Sequence, residues 1–219
     1  MRKVIFHCIF VCSLLYLAVP SFAQVVASRP PPTIFRDHDG NLVSNNEFVD
    51  IRMANFHYPD ATIVKTLEDG TIEFRLQKIP QEGMMAPDFA AKALDGSRVD
   101  LRSLKGKVVV LNFWFIACAS CRAHQPKLNV LKSKFAERDD VVFIAITYES
   151  SGDVKKYLAK ERFDFIQITD ADAILKPFRF SGYPKNIVLN KDGEIVYWRS
   201  PVAAWDKFES VIRAETGKD

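Results

Sequence analysis

Val108 to Pro126 reads VVVLNFWFIACASCRAHQP, and two halves of opposite character meet in it. The first, Val108 to Trp114, is an apolar run rich in valine, the pattern of a strand buried on both faces. The second carries Cys118-Ala119-Ser120-Cys121 and then helix formers as far as about Lys134. A buried strand that delivers a C-x-x-C pair to the start of a helix is the physical core of a thiol–disulfide site. The unpaired backbone N–H groups of the first turn and the positive end of the helix dipole face the first sulfur. They favour the thiolate, which is the reactive form, and can bring such a pKa down to roughly 3.5–7.5.

Cysteine usage elsewhere sharpens this reading. The chain has 219 residues and four cysteines. Residues 1–23 have the pattern of a signal peptide: Arg2 and Lys3 at the start, an apolar run from Val4 to Val19, Pro20, and Ser21-Phe22-Ala23 before Gln24. The apolar run is short for a membrane span, which needs roughly 20 residues. Cleavage near Ala23-Gln24 is therefore expected, and retention as a membrane tether is the alternative. Cleavage removes Cys8 and Cys12 and leaves Cys118 and Cys121 alone in an exported protein of the periplasm or cell envelope. A pair so close in sequence closes a loop too short to staple a fold, so it points to redox chemistry or metal binding. The formal charge of +3 gives no reason to expect nucleic acid as a partner.

The chain is expected to divide into the leader 1–23, a linker and β-rich extension over 24–82, and a main domain over 83–219. Pro30 to Pro32 suggest an extended linker, and Asp37-His38-Asp39-Gly40 reads as a turn. Ala61 to Leu67 and Thr71 to Lys78 flank Glu68-Asp69-Gly70 and read as a hairpin. Nothing in the extension looks like a site, and His57 is read as a packing or surface residue. Met85 to Phe89 is strand-like, and Val99 to Leu104 leads through Lys105-Gly106-Lys107 to the buried strand. Beyond the cysteines come a helix to Glu137, a strand at Val141 to Thr147, a helix at Gly152 to Arg162 and a strand at Phe165 to Ile168. A helix at Ala171 to Phe178, a hairpin across Asn190-Lys191-Asp192-Gly193 and a helix at Val202 to Ala214 complete the chain. The order β-α-β-α-β-α-β-β-α implies an α/β fold, a mixed sheet with helices on both faces.

Four stretches together resemble the TlpA/ResA-type thioredoxin-like thiol–disulfide oxidoreductases of the redoxin group. They are Ala86-Pro87-Asp88-Phe89; Leu94-Asp95-Gly96 through Leu104-Lys105-Gly106-Lys107-Val108; Asn112-Phe113-Trp114 with Cys118, Cys121-Arg122 and Pro126; and Gly182-Tyr183-Pro184 with Ile187-Val188-Leu189 and Lys191-Asp192-Gly193. The resemblance covers roughly residues 83–215 and implies a thioredoxin-like fold. It departs from the family at Ala117, where tryptophan is usual, at Ala119-Ser120, where a proline is frequent, and at His124, where glutamate is common.

The resemblance implies that Cys118 attacks and Cys121 resolves, through a redox-active Cys118–Cys121 disulfide. It also implies that Pro184 follows a cis peptide bond and that Tyr183 and Pro184 form the ledge for the substrate strand. His124 stands three residues after Cys121, on the same side of a helix, where an imidazole would modulate the thiols. No cofactor or bound metal is expected. The implied partners are disulfide-containing envelope proteins, apocytochromes among them, and a membrane thiol reductase as electron donor. The competing reading is a copper(I)- or zinc-binding metallochaperone using Cys118, Cys121 and His124. Trp114-Phe115-Ile116-Ala117 lacks the proline and threonine of a peroxidase site, and Arg122 stands where haem attachment needs histidine.

Overall fold

The computed structural model describes residues 29–54, 62–76 and 78–217. The leader with Cys8 and Cys12, the linker as far as residue 28, and His57 lie outside the described residues.

The elements in chain order are β1 (Thr33–Arg36), β2 (Leu42–Val43), α1 (Asn45–Ala54), β3 (Ile63–Thr66), β4 (Ile72–Arg75), β5 (Ala90–Lys92), β6 (Arg98–Asp100) and β7 (Val108–Phe113). They continue with α2 (Ala119–Ser133), β8 (Val141–Ile146), α3 (Ser151–Leu158), β9 (Ile166–Ile168), α4 (Asp172–Leu175), β10 (Lys185–Leu189), β11 (Ile195–Arg199) and α5 (Trp205–Thr216). From β7 onward the order of strands and helices is the one expected from the sequence.

The central sheet has the order β11-β10-β7-β8-β9. Strands β8 and β9 run parallel to β7, whereas β10 runs antiparallel to it and pairs with β11. With neighbours on both sides and helices above and below, every residue of β7 is buried, and this is why it reads as an unbroken apolar run. Its side chains alternate between two cores. Val109, Leu111 and Phe113 join one core with Leu175 and Phe178. Val108 and Val110 join the other with Leu128 and Leu131 of α2, Val154 of α3, and Phe208 and Ile212 of α5. The polar exception in β7, Asn112, lies opposite Asn186 of β10 and donates to its side-chain oxygen at 2.8 Å. That buried pair satisfies a polar group in an apolar strand and opposes register slip.

Residues 33–76 contribute a second sheet of order β2-β1-β4-β3, in which β1 and β4 are parallel. Strands β3 and β4 pair antiparallel across Glu68-Asp69-Gly70, and Gly70 takes the positive φ of 83° that this turn needs. The sequence reading had no helix here, yet α1 lies between β2 and β3. Its inward residues are Asp50, Ile51 and Ala54, and Ile51, Ala54, Leu76 and Ile79 pack into the same core as Leu111, Phe113 and Trp198. Asp50 accepts hydrogen bonds from the backbone N–H groups of Ala203 and Ala204 at 2.7 and 2.8 Å. Ala204 is the cap residue of α5 and has no side-chain acceptor of its own, so a carboxylate from α1 supplies that cap.

Several boundaries differ from expectation, among them the end of α3, at Leu158 rather than Arg162. Met85 makes only an isolated bridge to Glu194; Pro87 has no N–H to continue a ladder, and the strand forms later, at Ala90. The closing helix starts at Trp205 rather than Val202, with Ala204 as its cap residue. The helix after the cysteines ends at Ser133, with Lys134 as its cap.

Candidate active site

Strand β7 ends at Phe113, and after four intervening residues the chain turns into α2 with Cys118 as its N-cap. The cap is a sulfur: Sγ of Cys118 accepts the backbone N–H of Cys121 at 3.0 Å. The two cysteines form a disulfide, with Cα atoms 5.2 Å apart. Cys118 keeps 7% of its surface exposed and Cys121 keeps 2%, so the first sulfur is the more approachable of two nearly buried ones. The first turn of α2 holds no acidic side chain, so nothing on the helix opposes negative charge on Cys118. Arg122, the next basic residue, is engaged with Glu161 at 3.4 Å.

Beneath the pair, Trp114 is fully buried with its ring 5.3 Å from Tyr157 and 5.6 Å from Phe163. Gln125, one turn beyond Cys121, accepts the Tyr157 hydroxyl at 2.6 Å. These contacts fix the start of α2 against the strand that feeds it.

The loop before the cysteines is held from a second side. Glu149 Oε1 accepts the N–H of Ile116 at 3.2 Å, and the N–H of Glu149 donates to Thr147 Oγ1 at the same distance. The sequence reading did not single out Glu149. Its position was the available signal, because residues just past the carboxyl ends of adjacent parallel strands converge, and β7 and β8 are adjacent and parallel.

Tyr183 and Pro184 meet this loop from the opposite strand. The bond between them is cis, as the resemblance implied. Lys185, the next residue, lies opposite Phe113 in the antiparallel pairing of β10 with β7, which brings the Pro184 turn to the end of β7 from which the cysteine loop departs. The Tyr183 ring is 5.1 Å from that of Phe115 and 5.0 Å from that of Phe180. Burial foremost, then Tyr148 and Asp172, pushes the Tyr183 phenol up to about 12. Ser200, also missed in the sequence, braces this loop: its hydroxyl donates to the Pro184 carbonyl. Tyr183 packs against the same apolar cluster that contains both cysteines.

His124 turns toward α5, with its ring 5.4 Å from that of Trp205. Burial foremost, then the Lys127 charge, lowers its pKa, while the carbonyls of Val202 and Ser120 pull the other way. The net shift favours the neutral imidazole. Among the described residues, no three His, Cys, Asp or Glu side chains converge as a metal site. The donor trio of Cys118, Cys121 and His124 is not assembled in this disulfide form.

The Redoxin family model matches residues 81–212. The chain is 32% identical over 117 residues to the thioredoxin-like protein YneN of Bacillus subtilis, an alignment covering 52% of this chain and 69% of YneN. It is 30% identical over 117 residues to the thiol-disulfide oxidoreductase ResA of Bacillus cereus, covering 53% of this chain and 68% of ResA. Among solved structures, the thioredoxin domain of a thiol-disulfide oxidoreductase from Bacteroides vulgatus superposes with a TM-score of 0.53 at 25% identity, over 60% of this chain and 97% of that one. A thioredoxin-family thiol:disulfide interchange protein from Chlorobium tepidum gives 0.55 at 21% identity, over 64% and 100%, and shares the fold. The family match covers more than half of the chain and includes the bonded Cys118–Cys121 pair, and the chain belongs to the Redoxin family as a TlpA/ResA-type, thioredoxin-like thiol–disulfide oxidoreductase.

Proposed function

We propose that this oxidoreductase is exported and reduces or exchanges disulfides of envelope proteins, apocytochromes among them, drawing electrons from a membrane thiol reductase. The observation that carries the chemistry is the sulfur of Cys118 at the cap of α2, accepting the N–H of Cys121 at 3.0 Å. In the reduced protein the same donor stabilises a Cys118 thiolate.

The cycle starts when the donor delivers two electrons and two protons to the Cys118–Cys121 disulfide. The Cys118 thiolate attacks one sulfur of a substrate disulfide, and the other substrate sulfur leaves as a thiolate and takes a proton. Cys121 then loses its proton and attacks Cys118 Sγ. The second substrate thiolate departs, and the protein disulfide is restored. Tyr183 and Pro184 serve as the ledge on which the substrate strand lies. His124, three residues after Cys121 on α2, serves as a modulator of the thiols, and burial lowers its pKa and so favours its neutral form.

Export rests on the pattern of residues 1–23. One experiment covers both parts. Expressed with its leader, the protein recovered from the envelope fraction should begin at Gln24 and reduce insulin disulfides, and Cys118→Ser should lower the rate at least about a thousandfold, as loss of an essential nucleophile does. Turnover retained by Cys118→Ser rejects the mechanism, and a chain found only inside the cell rejects export.

A further inference from the structure

Four aromatic rings form one connected group beside the disulfide, joined through Tyr183, and they come from three separate loops. Phe115 lies three residues before Cys118; Tyr148 follows β8; Phe180 and Tyr183 precede β10. The Phe115 ring is 5.8 Å from Tyr148 and 5.1 Å from Tyr183, Tyr148 is 6.3 Å from Tyr183, and Phe180 is 5.0 Å from Tyr183. Phe115 and Tyr183 pack on the cluster that contains both cysteines, so the rings continue the surface that a substrate meets. Tyr148 is its outermost member, 39% exposed.

The charged groups that act on Tyr148 and Tyr183 are carboxylates. After burial, the carboxylates of Glu149 and Asp172 are what raise the Tyr148 phenol, and Asp172 acts on Tyr183 as well. Glu149 is bound through one oxygen to the Ile116 N–H, and a carboxylate has acceptor capacity beyond one such bond. Aromatic faces flanked by carboxylates attract a cation on an apolar stem, which is the chemistry of a lysine or arginine side chain. An acidic side chain placed there meets like charge.

Resting on the disulfide-exchange reading above, we propose that Phe115, Tyr148 and Tyr183, with Glu149 and Asp172, form a selectivity rim that favours substrates carrying a lysine or arginine next to the reacting cysteine. The rim holds the basic side chain while Cys118 attacks the neighbouring sulfur, so it acts on substrate choice and leaves the bond chemistry unchanged.

The test uses three disulfide-linked peptides that differ only at the residue beside cysteine: lysine, glutamine or glutamate. Each kcat/KM with the reduced full-length protein is divided by the rate of the same peptide with dithiothreitol, which removes the intrinsic effect of charge on the disulfide. The lysine peptide is expected to exceed the glutamate peptide by about tenfold at low salt, with glutamine between, since contacts of this kind are individually modest. The ratio should fall toward one in about 0.5 M salt, and also in Tyr148→Ala and Asp172→Asn, each checked for folding by its thermal melt. Equal normalised rates for all three peptides overturn the rim, as does a lysine preference that survives both variants. Absence of turnover on every peptide instead rejects the disulfide-exchange reading beneath it.

Discussion

Lys185 follows the Pro184 turn and is fully buried, although it is a lysine. Its ammonium donates to the Ala54 carbonyl at 2.7 Å and sits 5.0 Å from the centre of the Trp198 ring. Burial foremost, and then the Arg199 charge, brings its pKa down from 10.5 to about 7. Arg199 itself is paired with Glu82. Below about pH 7 the folded protein bears the full cost of a buried charge. Between that value and the unfolded pKa of 10.5, the unfolded chain holds a proton that the folded one has released, so stability rises with pH. The unfolding free energy of the wild type in urea should therefore climb from about pH 7 to pH 10 relative to Lys185→Met, by an amount on the order of a few kcal/mol. Parallel unfolding free energies across that range would show that the buried amine does not titrate there. No apolar pattern marks such a residue: a lysine in a strand of otherwise hydrophobic character reads as an edge, and only its tertiary partners explain it. Cys118 and Cys121 were legible for the opposite reason, since their spacing is local and their chemistry needs only the helix that follows.

The legibility of whole elements follows the same division. Strand β7 stands out because burial on both faces demands an unbroken apolar run, and the turn at Gly193, with its φ of 89°, is announced by Asp192-Gly193. Helix α1 is hidden because its inward face includes Asp50, a residue that hydrophobic periodicity counts as surface. Asp50 is buried, and burial holds its carboxyl above the ordinary range against the opposing pull of the Ala204 and Ala203 N–H groups and the Arg199 charge. Asp50→Ala leaves two N–H groups at the start of α5 without their acceptor and should destabilise the protein by about 1–3 kcal/mol in urea. Asp50→Asn keeps one acceptor oxygen and should lose less. Equal losses for the two variants would mean that packing volume, not capping, is what matters at this position.

At the scale of the molecule, the segment before the family's domain shares a core with it. Ile51, Ala54, Leu76 and Ile79 are buried with Leu111, Phe113, Ile187 and Trp198, and the unit that contains them runs from Pro31 to the end of the chain. The sequence separates this segment readily, because the resemblance stops near residue 83. It does not reveal the docking, since four short strands and one weakly patterned helix carry no trace of where they will pack. Deleting residues 24–80 should cost several kcal/mol against a typical stability of about 5–15. The truncated protein should melt earlier and bind a hydrophobic dye. An unchanged melting temperature would show that the redoxin portion stands alone.

The bond from Asp50 to Ala203 spans 153 positions of the chain. A ribosome that has just produced α1 must add most of the remaining polypeptide before the partner of that carboxylate exists. Helix α1 therefore waits with that bond unmade, and the last helix to emerge is the one that locks the first into place. A chain threaded through a membrane from its amino end would reach the far side with that lock still unmade, so its final closure belongs to the compartment of arrival.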